Sequence, residues 1–219
     1  MTIRTGSILI VDDIANVRDL IEVQLKVRGY TIMTARDGQE ALEQVSKQKP
    51  AVVVADILMP RVDGFALAHK LRTNPQTADI PIIFLSATYV SAEDEKFALG
   101  LGALRFLPKP VDADELALAV ADALTGQAQA PSPMSDKEFY AGYRQRLQSK
   151  LQQKAQQLAR SQRQLETAPA DQQETYRKLV AEAEEQHAEI ERELAALLKM
   201  LQELEAATSP KAPGDKPAA

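Results

Sequence analysis

The stretch Val52-Val53-Val54-Ala55-Asp56-Ile57-Leu58-Met59-Pro60-Arg61-Val62-Asp63-Gly64 (VVVADILMPRVDG) decides how this chain is read. Its first four residues are a continuous apolar run of strand length. Such a run suits a parallel strand buried on both faces by helices. It stops at a carboxylate, Asp56, and a loop rich in turn-forming residues follows. Comparable runs lie at 8–11, 82–85 and 104–107, each apolar enough to be covered on both faces. A weaker run at 31–34 reads as an edge strand.

The intervening segments carry helical spacing. Val17, Leu20, Ile21 and Leu25 share one face, as do Ala41, Leu42 and Val45, then Phe65, Ala68 and Leu71, then Leu116, Ala119, Val120 and Ala123. Gly29 is a stop signal for the first of these helices. Alternating strands and helices over 1–125 imply an α/β fold, a five-stranded parallel sheet wound on both faces, of flavodoxin-like order.

The composition changes near residue 126. Residues 126–134 (GQAQAPSPM) form a linker with no apolar face. Ser135 offers an N-cap, with Glu138 at capping-box spacing. A helix from there extends to about Glu166, where Thr167-Ala168-Pro169 breaks it. Pro169 suits the first turn of a second helix, which runs to about Ala207. In that second helix Tyr176, Val180, Ala183, His187, Ile190, Leu194, Leu197, Leu201 and Leu204 alternate in steps of four and three, the seam of a coiled coil. The first helix follows the same stepping at Tyr140, Leu147, Leu151, Leu158 and Leu165, interrupted by Arg144, Lys154 and Ser161.

Residues 136–166 hold seven basic and three acidic residues, a net of +4, and 170–207 hold four and ten, a net of −6. Two helices of opposite charge and short connection should fold back antiparallel over 135–207. One such hairpin buries little apolar surface, so a homodimer forming a four-helix bundle is expected. The tail 208–219 carries three prolines and reads as disordered.

Composition narrows the function. The 219 residues contain no cysteine, which excludes disulfides and thiolate metal sites. The N-terminal residues do not read as a secretory signal, and no apolar run reaches bilayer length, so a cytoplasmic protein without a membrane partner is expected. The net charge of −5 argues mildly against nonspecific nucleic-acid binding, and no helix-turn-helix pattern is present.

In open α/β sheets, ligands sit at the carboxyl ends of the strands. Here those ends are Asp12-Asp13, Asp56, Ser86-Ala87 and Lys109-Pro110. Three carboxylates gathered together repel one another and invite a hard divalent cation with oxygen ligands, of which Mg²⁺ is the first choice. A cation beside Asp56 keeps it ionised and nucleophilic. Lys109 supplies a charge and Ser86 a hydrogen bond to phosphoryl oxygens. Asp56 could then attack a phosphoryl donor.

With these residues in place, 6–125 resembles the receiver domain of two-component response regulators. The matching residues are Asp12-Asp13, the whole of Asp56 to Gly64, Ser86-Ala87 and Phe106-Leu107-Pro108-Lys109-Pro110. The resemblance implies that Asp56 is the phosphoacceptor, served by a sensor histidine kinase or phosphotransfer protein. It implies Mg²⁺ held by Asp13, Asp56 and the Leu58 backbone carbonyl, with Asp12 assisting through water. It implies a cis Lys109–Pro110 bond, a Ser86 that moves toward the phosphate, and a Phe106 that turns inward as a switch. It also implies no enzymatic activity beyond self-phosphorylation and autodephosphorylation. Arg105 departs from the small or acidic residues common at its position. Leu58, apolar where it follows the acceptor by two, is read as limiting attacking water.

The hairpin is not assigned to a family, and its sequence names no downstream target. Main output is therefore expected through protein–protein interaction. Two alternatives stand beside it: a phosphatase or phosphotransfer module acting on another receiver, and a constitutive dimeriser or scaffold. His187 lies on the seam, where a polar residue sets register or partner choice. The Gln-rich stretch 145–164 reads as a solvated face. His69 is expected on an exposed helix face with no partner visible in the sequence.

Overall fold

A computed structural model describes residues 6–87, 91–126 and 132–208, with backbone alone at 200 and 203–208. Five strand–helix units come first: β1 (Ile8–Val11), α1 (Ala15–Lys26), β2 (Ile32–Ala35), α2 (Gly38–Lys47), β3 (Val52–Asp56), α3 (Gly64–Thr73), β4 (Ile82–Ser86), α4 (Ala92–Gly100), β5 (Arg105–Pro108) and α5 (Ala113–Thr125). Two long helices follow, α6 (Asp136–Thr167) and α7 (Gln173–Thr208). Each strand lies within one residue of the run expected for it.

The strands form one parallel sheet of order β2-β1-β3-β4-β5. β1, β3 and β4 are buried along their whole length, as continuous apolar runs require. β2 is the edge strand that its weaker run suggested. β5 forms the other edge. Its expected double burial fails at Arg105, which is exposed and 3.3 Å from Asp122 of α5, because no strand lies beyond it.

One side of the sheet packs Ile8, Ile10, Val52, Val54, Ile83 and Leu85 against Ile21 and Leu25 of α1 and Leu116, Val120 and Ala123 of α5. On the other side Phe84 meets Phe65 of α3 edge-on, with ring centroids 5.6 Å apart. Leu20 is a correction: it is 58% exposed, since α1 turns Val17, Ile21 and Leu25 toward the sheet. Gly29 takes a left-handed conformation, φ 86°, three residues after α1 ends.

The chain divides into two compact units, Met1–Phe139 and Tyr140–Ala219. The first turn of α6 thus belongs with the first unit. It carries the expected capping box: the Ser135 backbone N–H and hydroxyl both donate to the Glu138 carboxylate, at 2.9 and 2.6 Å. Those bonds hold the Glu138 carboxyl below its ordinary value.

In the second unit α6 and α7 form an antiparallel hairpin. Tyr143 donates to Glu193, Lys154 to Gln186 at 2.8 Å and Gln162 to Glu184 at 3.5 Å, so partners converge toward the connection. Val180, Ala183, Ile190 and Leu197 are buried on the expected seam. The α6 seam starts differently: Tyr143 and Leu147 are buried, while Tyr140 is only half-buried. Pro169 also departs from expectation, lying in the turn before α7, where Gln172 N–H donates to its carbonyl at 2.9 Å. The centre of the linker, the Leu204 seam position and the tail beyond 208 lie outside the described residues or side chains.

Candidate functional site

The sheet order reverses direction at β1, whose neighbours are β2 and β3. That makes the carboxyl ends of β1 and β3 the place for a ligand. Val11 is level with Ala55, so Asp12 stands beside Asp56. One carboxylate oxygen each from Asp12, Asp13 and Asp56 falls within a group no wider than 4.8 Å. Lys109 Nζ reaches into this group, 2.7 Å from Asp12 Oδ2 and 2.9 Å from Asp56 Oδ2. The Lys109–Pro110 bond is cis.

Asp12 and Asp56 are buried, whereas Asp13 is exposed at the rim. Burial pushes the Asp56 carboxyl above its ordinary value; Lys109 opposes that shift and the Asp12 charge adds to it. Burial alone would lower the Lys109 ammonium. The Asp56 charge and hydrogen bonds to Asp12 and Asp56 outweigh it and hold Lys109 above its usual range. Three carboxylates and one ammonium leave two negative charges in a site made of oxygen donors. A divalent, oxygen-preferring cation matches that set in both charge and ligand type.

Ser86 ends β4, is buried, and lies one residue past Leu85, the partner of Asp56 in the register. Its carbonyl accepts from Lys109 N–H at 2.8 Å, which ties the two strand ends together. Phe106 is half-buried on β5, level with Phe84. Leu58 is half-buried in the loop after β3.

That loop is pinned at several points. Gly64 N–H donates to Ile57 carbonyl at 2.9 Å, and a Cβ on Gly64 would overlap the Asp56 carbonyl oxygen. Asp63 caps α3 by accepting from Ala66 N–H at 2.9 Å. Asp37, fully buried, caps α2 and also pairs with Arg61, which adopts φ 64°. Gly38 N–H donates to Val62 carbonyl at 2.9 Å.

Sequence reasoning missed two of these features. The Asp37–Arg61 pair joins loops that only the folded sheet brings together. Arg18 Nη1 donates to the Asp12 carbonyl at 2.6 Å and fixes the acidic turn from α1; nothing in its local spacing marks that role. His187 lies in the second unit, half-buried on the seam, with Nδ1 3.7 Å from Glu191 Oε2. His69 contradicts expectation. Its side chain is 12% exposed, because Phe139 and Asp136 of the first α6 turn cover it.

No helix among the described residues is long and apolar enough to cross a membrane. Residues 8–121 match the family described as the response regulator receiver domain. The ycf27 protein of Porphyridium aerugineum is 35% identical over 125 residues, 57% of this chain and 50% of its own length. The response regulator MprA of Mycobacterium ulcerans is 39% identical over 109 residues, 50% of this chain and 46% of its own. The chain spans about half the length of these curated relatives. Among solved structures, the chemotaxis protein CheY4 of Vibrio cholerae aligns with TM-score 0.52 and 30% identity, over 55% of this chain and 99% of that one. The matched residues 8–121 end ahead of α6.

Proposed function

Because this chain belongs to the response regulator receiver family, we propose that Asp56 accepts a phosphoryl group from a sensor histidine kinase or phosphotransfer protein and that α6 and α7 carry the output. The observation that carries this reading is the Lys109 bridge between Asp12 and Asp56, with Asp13 completing the acidic group.

In the proposed reaction an Asp56 oxygen attacks phosphorus in line. The P–N bond to the donor imidazole, protonated on its other nitrogen, breaks, and imidazole leaves neutral. Lys109 transfers its contact from the carboxylates to a phosphoryl oxygen, and the Ser86 hydroxyl donates to another. Asp13, Asp56 and the Leu58 backbone carbonyl would hold Mg²⁺, with Asp12 assisting through water. The cation supplies neutralisation of the crowded oxygens when bound. Phe106 follows Ser86 inward. The chemistry is confined to self-phosphorylation and autodephosphorylation.

We assign 1–125 as the receiver, 126–134 as a linker, 135–207 as the output hairpin and 208–219 as a tail. The output is protein–protein interaction in the cytoplasm, through a homodimer or a downstream protein, without nucleic-acid or membrane contact. Full-length protein tests this by titration with beryllofluoride and Mg²⁺, read by calorimetry and by mass in solution. The reading expects Mg²⁺-dependent binding at one site per chain, absent in Asp56→Ala, with a change in association state. Binding that survives Asp56→Ala would contradict it.

A further inference from the structure

Residues 134–139 are seated on the α3–α4 face of the first unit. Phe139 is fully buried and lies flat on His69 of α3, with ring centroids 3.8 Å apart and planes 7° from parallel. Its ring also lies 6.2 Å from that of Phe97 of α4. Asp136 Oδ1 is 3.0 Å from His69 Nε2. Met134 N–H donates to the Gly100 carbonyl at 2.7 Å, and the Met134 methyl fills the space a side chain at Gly100 would need.

The seat is connected to the carboxylate site by aromatic packing. Phe97 meets Phe65 edge-on at 5.1 Å, and Phe65 meets Phe84 edge-on at 5.6 Å. Phe84 lies two residues before Ser86 on the same strand. α4 is lightly held: of its nine residues Phe97 and Ala98 are buried. Phe139 is therefore part of what fixes α4 in this position.

We infer that the α3–α4 face is the docking surface for the chain's own 134–139 segment, and that this docking opposes phosphoryl loading of Asp56. The inference rests on the proposed reading of Asp56 as acceptor. Loading draws Ser86 toward the phosphoryl oxygens, and the Phe84–Phe65–Phe97 contacts carry that displacement toward the clasp. A displaced Phe97 loses its contact with Phe139, which loosens the clasp. Coupling of this kind is reciprocal: what loading does to the clasp, the clasp does to loading.

The test uses full-length protein, as wild type, Phe139→Ala and Asp136→Asn, with beryllofluoride and Mg²⁺. Phe139→Ala should bind beryllofluoride at least about 5-fold more tightly than wild type. Asp136→Asn, which keeps the aromatic packing, should shift affinity in the same direction by less. In wild type, loading should speed hydrogen exchange at the amides of 136–143. In Phe139→Ala that exchange should be fast before loading. Equal or weaker binding by both variants, or unchanged exchange in loaded wild type, overturns the inference while leaving Asp56 as acceptor. Failure of wild type to bind beryllofluoride at Asp56 overturns both.

Discussion

The Lys109 ammonium stands 2.9 Å from Asp56 Oδ2, placing a fixed positive charge beside a carboxylate that burial pushes toward its neutral form. The same ammonium contacts Asp12, so it is shared between a buried acid and the proposed nucleophile. Moving onto a phosphoryl oxygen would release Asp56 to react without leaving its charge uncompensated.

Lys109→Ala should lower the rate of phosphoryl incorporation from a small acyl phosphate by roughly 10²-fold, the size found when one charge-stabilising donor is removed. Mg²⁺ binding should become tighter in the same variant, since one positive charge leaves the site. Initial rates and a Mg²⁺ titration of one preparation check both. A merely misfolded site would lose both properties.

Asp13 stands at the exposed rim of the acidic group, where its removal disturbs no core packing. With Mg²⁺ at about 100 times its Kd, binding adds ~2.7 kcal/mol to wild-type stability. Melting should rise by about 5 °C or more and fall back with chelator. Asp13→Asn should melt higher than wild type in chelator, because repulsion is relieved, and gain little from Mg²⁺. Thermal melts with and without the ion measure this.

Much of the first unit is legible in the order of its residues. The runs ending at Val11, Ala55 and Leu85 are buried strands because no polar residue interrupts them, and the parallel topology brings Asp12, Asp56 and Ser86, which follow them, to one edge of the sheet. Leu104–Leu107 differs: Arg105 interrupts the run and is exposed, and the strand order makes β5 an edge. Arg61 and Asp37 are distant in sequence and meet through loop geometry that local spacing does not encode. The phase of the α6 start is ambiguous in sequence because Phe139, Tyr140 and Tyr143 are all aromatic. Burial chose Phe139, on His69 of α3, and Tyr143, on the hairpin seam. His69 could not be placed without knowing that a residue so far along the chain would cover it.

Leu58 follows the proposed acceptor by two and is half-buried in its loop. An apolar side chain there offers no hydrogen bond to a water attacking the phosphoryl group. Leu58→Asn should speed autodephosphorylation by roughly 10-fold, equal to ~1.4 kcal/mol in the barrier. Decay of labelled phosphoprotein after donor removal gives the rate, and an unchanged rate would remove this role for Leu58.

Glu138 is held below its ordinary value by the Ser135 hydroxyl and backbone N–H. A carboxyl depressed in the folded state stabilises that state above its unfolded value, about 4.3, and the contribution disappears as pH falls through the lower folded value. Wild type should therefore melt higher than Glu138→Gln near pH 7. The difference should shrink below about pH 4. Paired melts across that range check the sign, and a difference that grows on acidification would contradict it.

Phosphorylation of Asp56 can be read directly by chemical trapping. Full-length protein is incubated with a small acyl phosphate and Mg²⁺, reduced with borohydride, and digested for mass spectrometry. Reduction converts an aspartyl phosphate to homoserine. Homoserine is expected at position 56 in wild type, dependent on Mg²⁺, and none in Asp56→Asn. Homoserine at Asp12 or Asp13, or a phosphoryl group retained on His187 with Asp56 unmodified, would contradict it.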